Sequence, residues 1–267
     1  MASKRAGSGE VGTVARAIQL LRVVAEADEP QTVTGLAKAL GLPSSTVHRL
    51  LQLLREQGMI AGDAGTRRYV PGRELYRLAA MLNGRRSISE LARPVMERVV
   101  AACNETCVLS TLLWEEHRMV FVEQVESTHP LRFSMPLHEP LPLIWGATGL
   151  SIVAMLSEPE IDELLAEAEP SPVEGDKPPS PRQFKRELEA IRERGYAVTE
   201  GQKIADSVGI ATAFLDHRRR PVGSLALTIP VSRFDPKSEA QLGELIAGAA
   251  LEISTGLGYS AEVAGEA

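Results

Sequence analysis

The sequence predicts an α/β chain in two unlike parts: a mainly helical module in the first third, then a mixed helix–strand region on one central sheet. Three observations carry that prediction. Residues 1–86 hold thirteen Lys/Arg against seven Asp/Glu, a balance of +6, whereas the remainder stands at −12, so the overall −6 averages two different surfaces. Apolar residues in the first third recur at i, i+3, i+4 and i+7, then give way to two short strand-like runs. Beyond residue 87, strand-like and helix-like segments alternate in an order that suits helices packed on a single sheet.

Composition narrows the class. At 267 residues and 44% hydrophobic, the chain can bury a sizeable core in one large domain or two ordinary ones. Two cysteines exclude a disulfide scaffold and fit a reducing compartment. No apolar run approaches the roughly 18 residues of a membrane span, and residues 1–10 read as a frayed polar tail without the apolar stretch of a signal peptide. The expectation is a cytoplasmic protein with no membrane partner.

The first helix is expected within Val11–Ala27, with Val14, Ala17, Ile18, Leu21, Val24 and Ala25 on its inner face. Pro30 lies just beyond its end. A second helix runs from about Val33 to Leu40, with Leu36, Ala37 and Leu40 inward. Gly41-Leu42-Pro43 then supplies a glycine at a helix end and a proline at the next helix start. The third helix spans about Ser44 to Gln57; Val47, Leu50, Leu51 and Leu54 point inward, leaving Ser44, Ser45, Thr46, His48, Arg49 and Gln52 outside. Met59–Ala61 and Arg67–Val70 read as two short strands around the turn 63–66. Three helices and a basic hairpin in this order make a winged helix-turn-helix. A further helix, Glu74 to about Leu82, carries a stripe of Leu75, Leu78, Ala79 and Leu82 that suits a seam between two copies of the chain.

The second part opens with a helix over Ser89–Ala102, followed by strands at Cys107–Leu113, Met119–Val125 and about Leu131–Met135. Residues 140–149 lead into a helix ending near Leu156, and Glu160–Glu167 forms another. The Pro/Glu/Ser-rich stretch 169–181 is a loop. Arg182–Arg194 is a charged amphipathic helix stopped by Gly195, Val208–Leu215 and Val222–Ile229 are strands across a basic turn, and a last helix covers about Lys237–Gly256.

The segment Leu36-Ala-Lys-Ala-Leu-Gly-Leu-Pro-Ser-Ser-Thr-Val-His-Arg-Leu-Leu51 resembles the helix-turn-helix of the IclR-type bacterial transcriptional regulators. The resemblance continues through residues 68–72, 91–96, 122–126, 192–197 and 229–233, nearly the whole chain. It implies a winged helix-turn-helix at 11–72, a linker helix at 73–86, a GAF-like effector-sensing domain at 87–260 and a second tail at 261–267. It also implies a homodimer or dimer of dimers on a palindromic double-stranded DNA operator, modulated by a small-molecule effector.

On the third helix, Arg49 suits bidentate pairing with guanine and Gln52 with adenine, and His48 adds a further polar group. The hydroxyls of Ser44, Ser45 and Thr46 suit phosphate at the helix start, with helix capping by Ser44 or Ser45 the alternative. Arg67 and Arg68 suit phosphate or the minor groove as wing residues, or else a solvated strand face.

Trp145-Gly-Ala-Thr-Gly149 sits where the family places the loop and helix start of its ligand cavity, and free N–H groups there suit a carboxylate. The implied effector set is Trp145, Ala147, Thr148, Gly149, Thr199, Gly209, Ala226 and Thr228. Gly209, Ala226 and Ile144 depart from the family's polar, thiol and histidine residues at those positions. That predicts a roomier, more apolar pocket for a bulky or aromatic organic acid or a neutral hydrophobe, with Trp145 as a flat wall or, alternatively, as packing core.

No catalytic, metal or cofactor site is expected. Cys103 and Cys107 at i, i+4 read as two buried thiols, the five histidines show no ligand spacing, and no Gly-x-Ser-x-Gly elbow or P-loop is present. Two rival classes stay open at this stage: a small-molecule-converting enzyme, and an interaction protein with a degenerate winged helix.

Overall fold

A computed structural model describes residues 12–27, 29–63, 68–83, 87–173, 175 and 177–260. Arg67 and both expected tails lie outside them. The chain divides into two compact units, Met1–Arg86 and Ser87–Ala267.

The first unit contains α1 (Thr13–Glu26), β1 (Gln31–Thr32), α2 (Val33–Leu40), α3 (Ser44–Glu56), β2 (Ile60–Asp63), β3 (Arg68–Pro71) and α4 (Arg73–Asn83). Its core is Leu20, Val24, Leu36, Val47, Leu50, Leu51 and Ile60. In α3 the inward set is as the spacing predicts. In α1 the buried face is rotated: Leu20 and Val24 are inside, whereas Val14 and Ile18 are 73% and 55% exposed. Both Val14/Ile18 and Leu20/Leu21/Val24 satisfy helical spacing, and the α1–α3 packing selects the second. Thr32 caps α2 by accepting from the Gly35 N–H at 3.1 Å. Gly41 adopts φ +61°, and the Leu42 N–H closes back on the Ala37 carbonyl at 3.1 Å, which turns the chain into α3. The three strands pair in the order β1-β3-β2. β1 pairs through only two residues, Gln31↔Tyr69 and Thr32↔Arg68, too few for a periodic signal.

The second unit is an antiparallel six-stranded sheet in the order β6-β5-β4-β9-β8-β7. It is assembled from α5 (Ile88–Cys103), β4 (Thr106–Leu113), β5 (Arg118–Val125), β6 (Leu141–Pro142), α6 (Gly146–Val153), α7 (Glu158–Ala166), α8 (Pro181–Arg194), β7 (Ala197–Glu200), β8 (Ser207–Leu215), β9 (Pro221–Pro230) and α9 (Glu239–Gly256). One face of the sheet, with Cys107, Leu109, Leu225 and Leu227, packs against α5 and α9. The opposite face, with Val108, Ala211 and Ala226, packs against α6, α7 and α8. Alternate residues of each strand therefore serve two cores.

The expected strand at 131–135 is absent: that segment is irregular, held by the Gln124 side chain accepting from the Met135 N–H at 2.9 Å. Two short strands, β6 and β7, were not anticipated from the sequence. Both lie at sheet edges, where few residues pair.

Candidate DNA-reading helix and effector site

In α3 the helix starts without a side-chain cap, since its N-cap position is Pro43. The capping alternative for Ser44 and Ser45 is therefore not realised. Both are exposed, and neither hydroxyl has a partner among the described residues, which leaves them and their own N–H groups open to an anion, while the Thr46 N–H donates to the Pro43 carbonyl at 2.9 Å. Ser45, His48, Arg49 and Gln52 recur at i, i+3, i+4 and i+7, all exposed, opposite the buried Val47, Leu50 and Leu51. Thr46 is half-buried at the edge of this face. Gln52 donates to Glu56 at 3.4 Å, a long contact that a better acceptor displaces readily. Arg49 has no acid within ion-pair distance among the described residues. It lines one surface depression together with Thr13, Arg16, Ser45 and Thr46. The sequence does not mark Arg16 as a candidate, because α1 carries only an apolar period and no DNA-binding motif of its own.

Arg68 is exposed on β3, opposite Thr32 of β1 and Asp63 of β2. The expected partner residue Arg67 lies outside the described residues.

The effector candidates converge around the start of α6. Thr199 of β7, Gly209 of β8 and Thr228 of β9 form one cross-strand row, continued by Thr106 of β4, and Ala226 stands one step along the same face. A Cβ on Gly209 would lie 3.2 Å from the Ala147 Cβ, so Ala147 fills the space above Gly209. The roominess expected at that position is absent for this reason. A Cβ on Gly149 would lie 2.0 Å from the Leu143 carbonyl oxygen, so glycine there lets the 143–145 segment press on the helix. The far end of α6 is tied down by a 2.8 Å hydroxyl contact from Ser151 to Ser224 on β9, and by Arg192 donating to the Ala154 carbonyl at 2.6 Å.

The first-turn donors are partly engaged. The Ala147 N–H donates to the Thr199 hydroxyl at 2.9 Å, and the Gly146 N–H donates to the Gln202 side-chain oxygen at 3.1 Å. The expectation that the Ala147 N–H is open to a ligand is thus corrected: Thr199 holds it. Thr148 and Thr228 are buried residues, but their hydroxyl oxygens keep contact with solvent and have no protein hydrogen-bond partner among the described residues. Trp145 is buried in the core cluster and its indole N–H donates to the Glu169 carbonyl at 2.9 Å, so it is both packing core and part of the wall. Gln202 carries no signal in the sequence, since it sits in an irregular turn with no periodic pattern.

Of the two thiols expected to be buried, Cys107 is buried and Cys103 is only half-buried, its Sγ donating to the Val99 carbonyl at 3.2 Å. Burial pushes both Cys103 and Cys107 above the ordinary thiol range, which opposes the thiolate needed for nucleophilic or metal chemistry. Among the described residues no three His, Cys, Asp or Glu side chains cluster as metal ligands, and no helix is long and apolar enough to cross a membrane.

Residues 13–64 match the family described as "IclR helix-turn-helix domain", and residues 81–255 match "Bacterial transcriptional regulator IclR C-terminal". The chain is 26% identical over 251 residues to the transcriptional repressor IclR of Escherichia coli, covering 94% of this chain and 92% of that protein. The crystal structure of Pseudomonas aeruginosa HmgR superposes with a TM-score of 0.68 at 26% identity, covering 93% of this chain and 99% of the other. An IclR homolog from Microbacterium hydrocarbonoxydans, solved in complex with 4-hydroxybenzoate, shares the fold with a TM-score of 0.56 at 23% identity, over 92% and 99% of the two chains.

Proposed function

Because the chain belongs to the IclR family of bacterial transcriptional regulators, we propose that α3 reads an operator in the major groove and that an organic acid bound at the start of α6 modulates this binding. The observation that carries the first half is the outer face of α3. Ser45, His48, Arg49 and Gln52 share one exposed stripe on a helix whose other side is locked into the core. A helix of thirteen residues is about 20 Å long and fits a major groove with its first turns against base edges. The basic balance of residues 1–86 supplies the phosphate-directed attraction.

The second half rests on the hydroxyls of Thr148 and Thr228, which have no protein partner among the described residues, and on the next donor along the first turn of α6, the Thr148 N–H. Thr199 and Gly209 shape the site by holding and seating Ala147; Ala226, Gly149 and Trp145 wall it. The protein works on DNA as a homodimer or a dimer of dimers, since two half-sites about one helical turn apart multiply the specificity of one small module.

Selection of the full-length protein on a random double-stranded DNA library tests the operator reading. Enrichment of a palindromic motif is the expected result. Recovery of duplexes bound without sequence preference, with affinity governed by salt alone, contradicts it.

A further inference from the structure

We propose that Arg16 and Arg55 each hold one of the two DNA backbones that border the major groove, an inference that rests on the operator reading above. The exposed stripe of α3 is a ridge between two depressions. On one flank, Thr13 and Arg16 of α1 meet Ser45, Thr46 and Arg49 of α3. On the other, His48, Gln52 and Arg55 of α3 meet Tyr69 of β3. Helical spacing accounts for the division: Thr46 and Leu50 fall on one side of the crest formed by Ser45, Arg49 and Gln52, and His48, Leu51 and Arg55 fall on the other.

An α-helix with its side chains is about 10–12 Å across, and the major groove is about 12 Å wide. A helix seated there fills the groove, so the two sugar-phosphate backbones come to rest against its flanks, where the depressions lie. Their volumes are about 380 and 260 Å³. Each is roughly ten times the 30 Å³ share of one water, room for a phosphate and its hydration. Each depression also brings together a guanidinium and hydroxyl groups, and no Asp or Glu lines either among the described residues. The depression beside His117 in the second unit differs, with Glu116, Glu167 and Glu169 in its wall. Neither Arg16 nor Arg55 has an ion-pair or hydrogen-bond partner for its guanidinium among the described residues. Arg93, Arg98 and Arg118, by contrast, are each bonded to a glutamate. Tyr69 is placed by Gly62, its partner across the β2–β3 ladder: a Cβ there would lie 3.0 Å from the ring, so glycine lets the ring lie against β2. The Tyr69 hydroxyl has no partner among the described residues and adds a donor on the Arg55 side. Contacts of this kind fix register without reading sequence. With Arg16 neutralising the backbone on its flank, Arg49 on the crest is left for a base edge.

The test uses the full-length protein and synthetic duplexes of the selected operator in which one phosphate at a time, within one half-site, is replaced by an uncharged methylphosphonate. Fluorescence anisotropy at fixed salt reads the affinity of wild type, Arg16→Gln and Arg55→Gln for each duplex. The wild type is expected to lose affinity at two separate sets of phosphates, one on each strand bordering the major groove. Arg16→Gln should be insensitive at one set and keep the other, and Arg55→Gln should show the reverse. Each variant should also lower the log–log salt slope by about 0.9 per half-site, keep the ranking of single-base-pair variants and retain the wild-type Tm. Arg16→Lys and Arg55→Lys, which keep the charge, should restore the slope and guard against a folding defect. Insensitivity of both variants at the same phosphates, or wild-type sensitivity retained by both at every position, overturns the two-sided clamp while leaving the operator reading intact. Loss of discrimination at one base pair in either variant makes that arginine a base reader and overturns its proposed role. If the wild type shows no preference for the selected duplex over scrambled DNA, the operator reading falls and this inference falls with it.

Discussion

Individual residues fall into those whose surroundings hold them and those left with something unmet. Thr199 belongs to the first kind, its hydroxyl engaged by the Ala147 N–H, and Thr148 to the second. Thr148→Val keeps the volume but removes the hydroxyl, so it should weaken an acidic effector by about 1–2 kcal/mol and leave operator binding without ligand unchanged. Calorimetry with the organic acid that binds the wild type best and anisotropy on the selected duplex read the two effects separately. Lys203, whose ammonium donates to the Pro142 carbonyl, gives a pH prediction. Burial lowers its folded pKa to about 7 from the ordinary 10.5, so the folded state binds fewer protons than the unfolded state between those values. Folding stability should therefore rise with pH from about 7 towards 10, and Lys203→Met should remove that part of the slope. Denaturant midpoints of both proteins across that range measure it, and parallel slopes would contradict the lowered value. Arg68 is exposed on the wing with no acid partner among the described residues. Arg68→Ala should weaken binding about equally on all sequences and reduce the salt slope by roughly one.

At the scale of elements, the placement of α6 depends on small residues. Gly149→Ala puts a methyl 2.0 Å from the Leu143 carbonyl, so the 143–145 segment or the helix must move. A loss of about 1–3 kcal/mol is expected, the usual cost of overpacking. Acid binding should fall with it, and a Tm equal to wild type would contradict the packing described.

The helix-turn-helix was legible because three signals coincide: the apolar spacing in α3, a glycine at the preceding helix end and proline at the helix start. α1 was only half legible. Its helical period is clear, but two overlapping apolar faces satisfy it, and contact with α3 decides between them. The short strands β1, β6 and β7 pair through two to four residues, below the length at which alternation is a signal. Leu131–Met135 has the apolar content of a strand, but its backbone is held by side chains rather than by a neighbouring strand. At the effector site the contributing segments could be named from the resemblance, whereas the plug formed by Ala147 over Gly209 depends on how far α6 descends onto the sheet. Neighbouring residues do not encode that distance.

For the whole molecule, the division of charge matters most. The first 86 residues are positive and the rest strongly negative, so non-specific attraction to DNA is confined to the part that carries α3. The negative remainder keeps the second unit from competing for the same phosphates. Effector binding changes operator affinity only as far as the ligand prefers one arrangement of the protein over another, with a differential of about 1–3 kcal/mol typical of such coupling. The assembled form is expected to be at least a dimer, which light scattering at micromolar concentration checks directly.

The central claim is that α3 reads bases through Arg49, and the most direct measurement is the affinity of wild type and Arg49→Ala for the selected duplex and for every single-base-pair variant of one half-site at fixed salt. The predicted result is a loss of about 1–3 kcal/mol on the selected duplex, with discrimination abolished at one base pair and retained at the others. An equal loss on selected and scrambled duplexes, with every base preference intact, would make Arg49 a phosphate contact and contradict the reading of α3 as the recognition element.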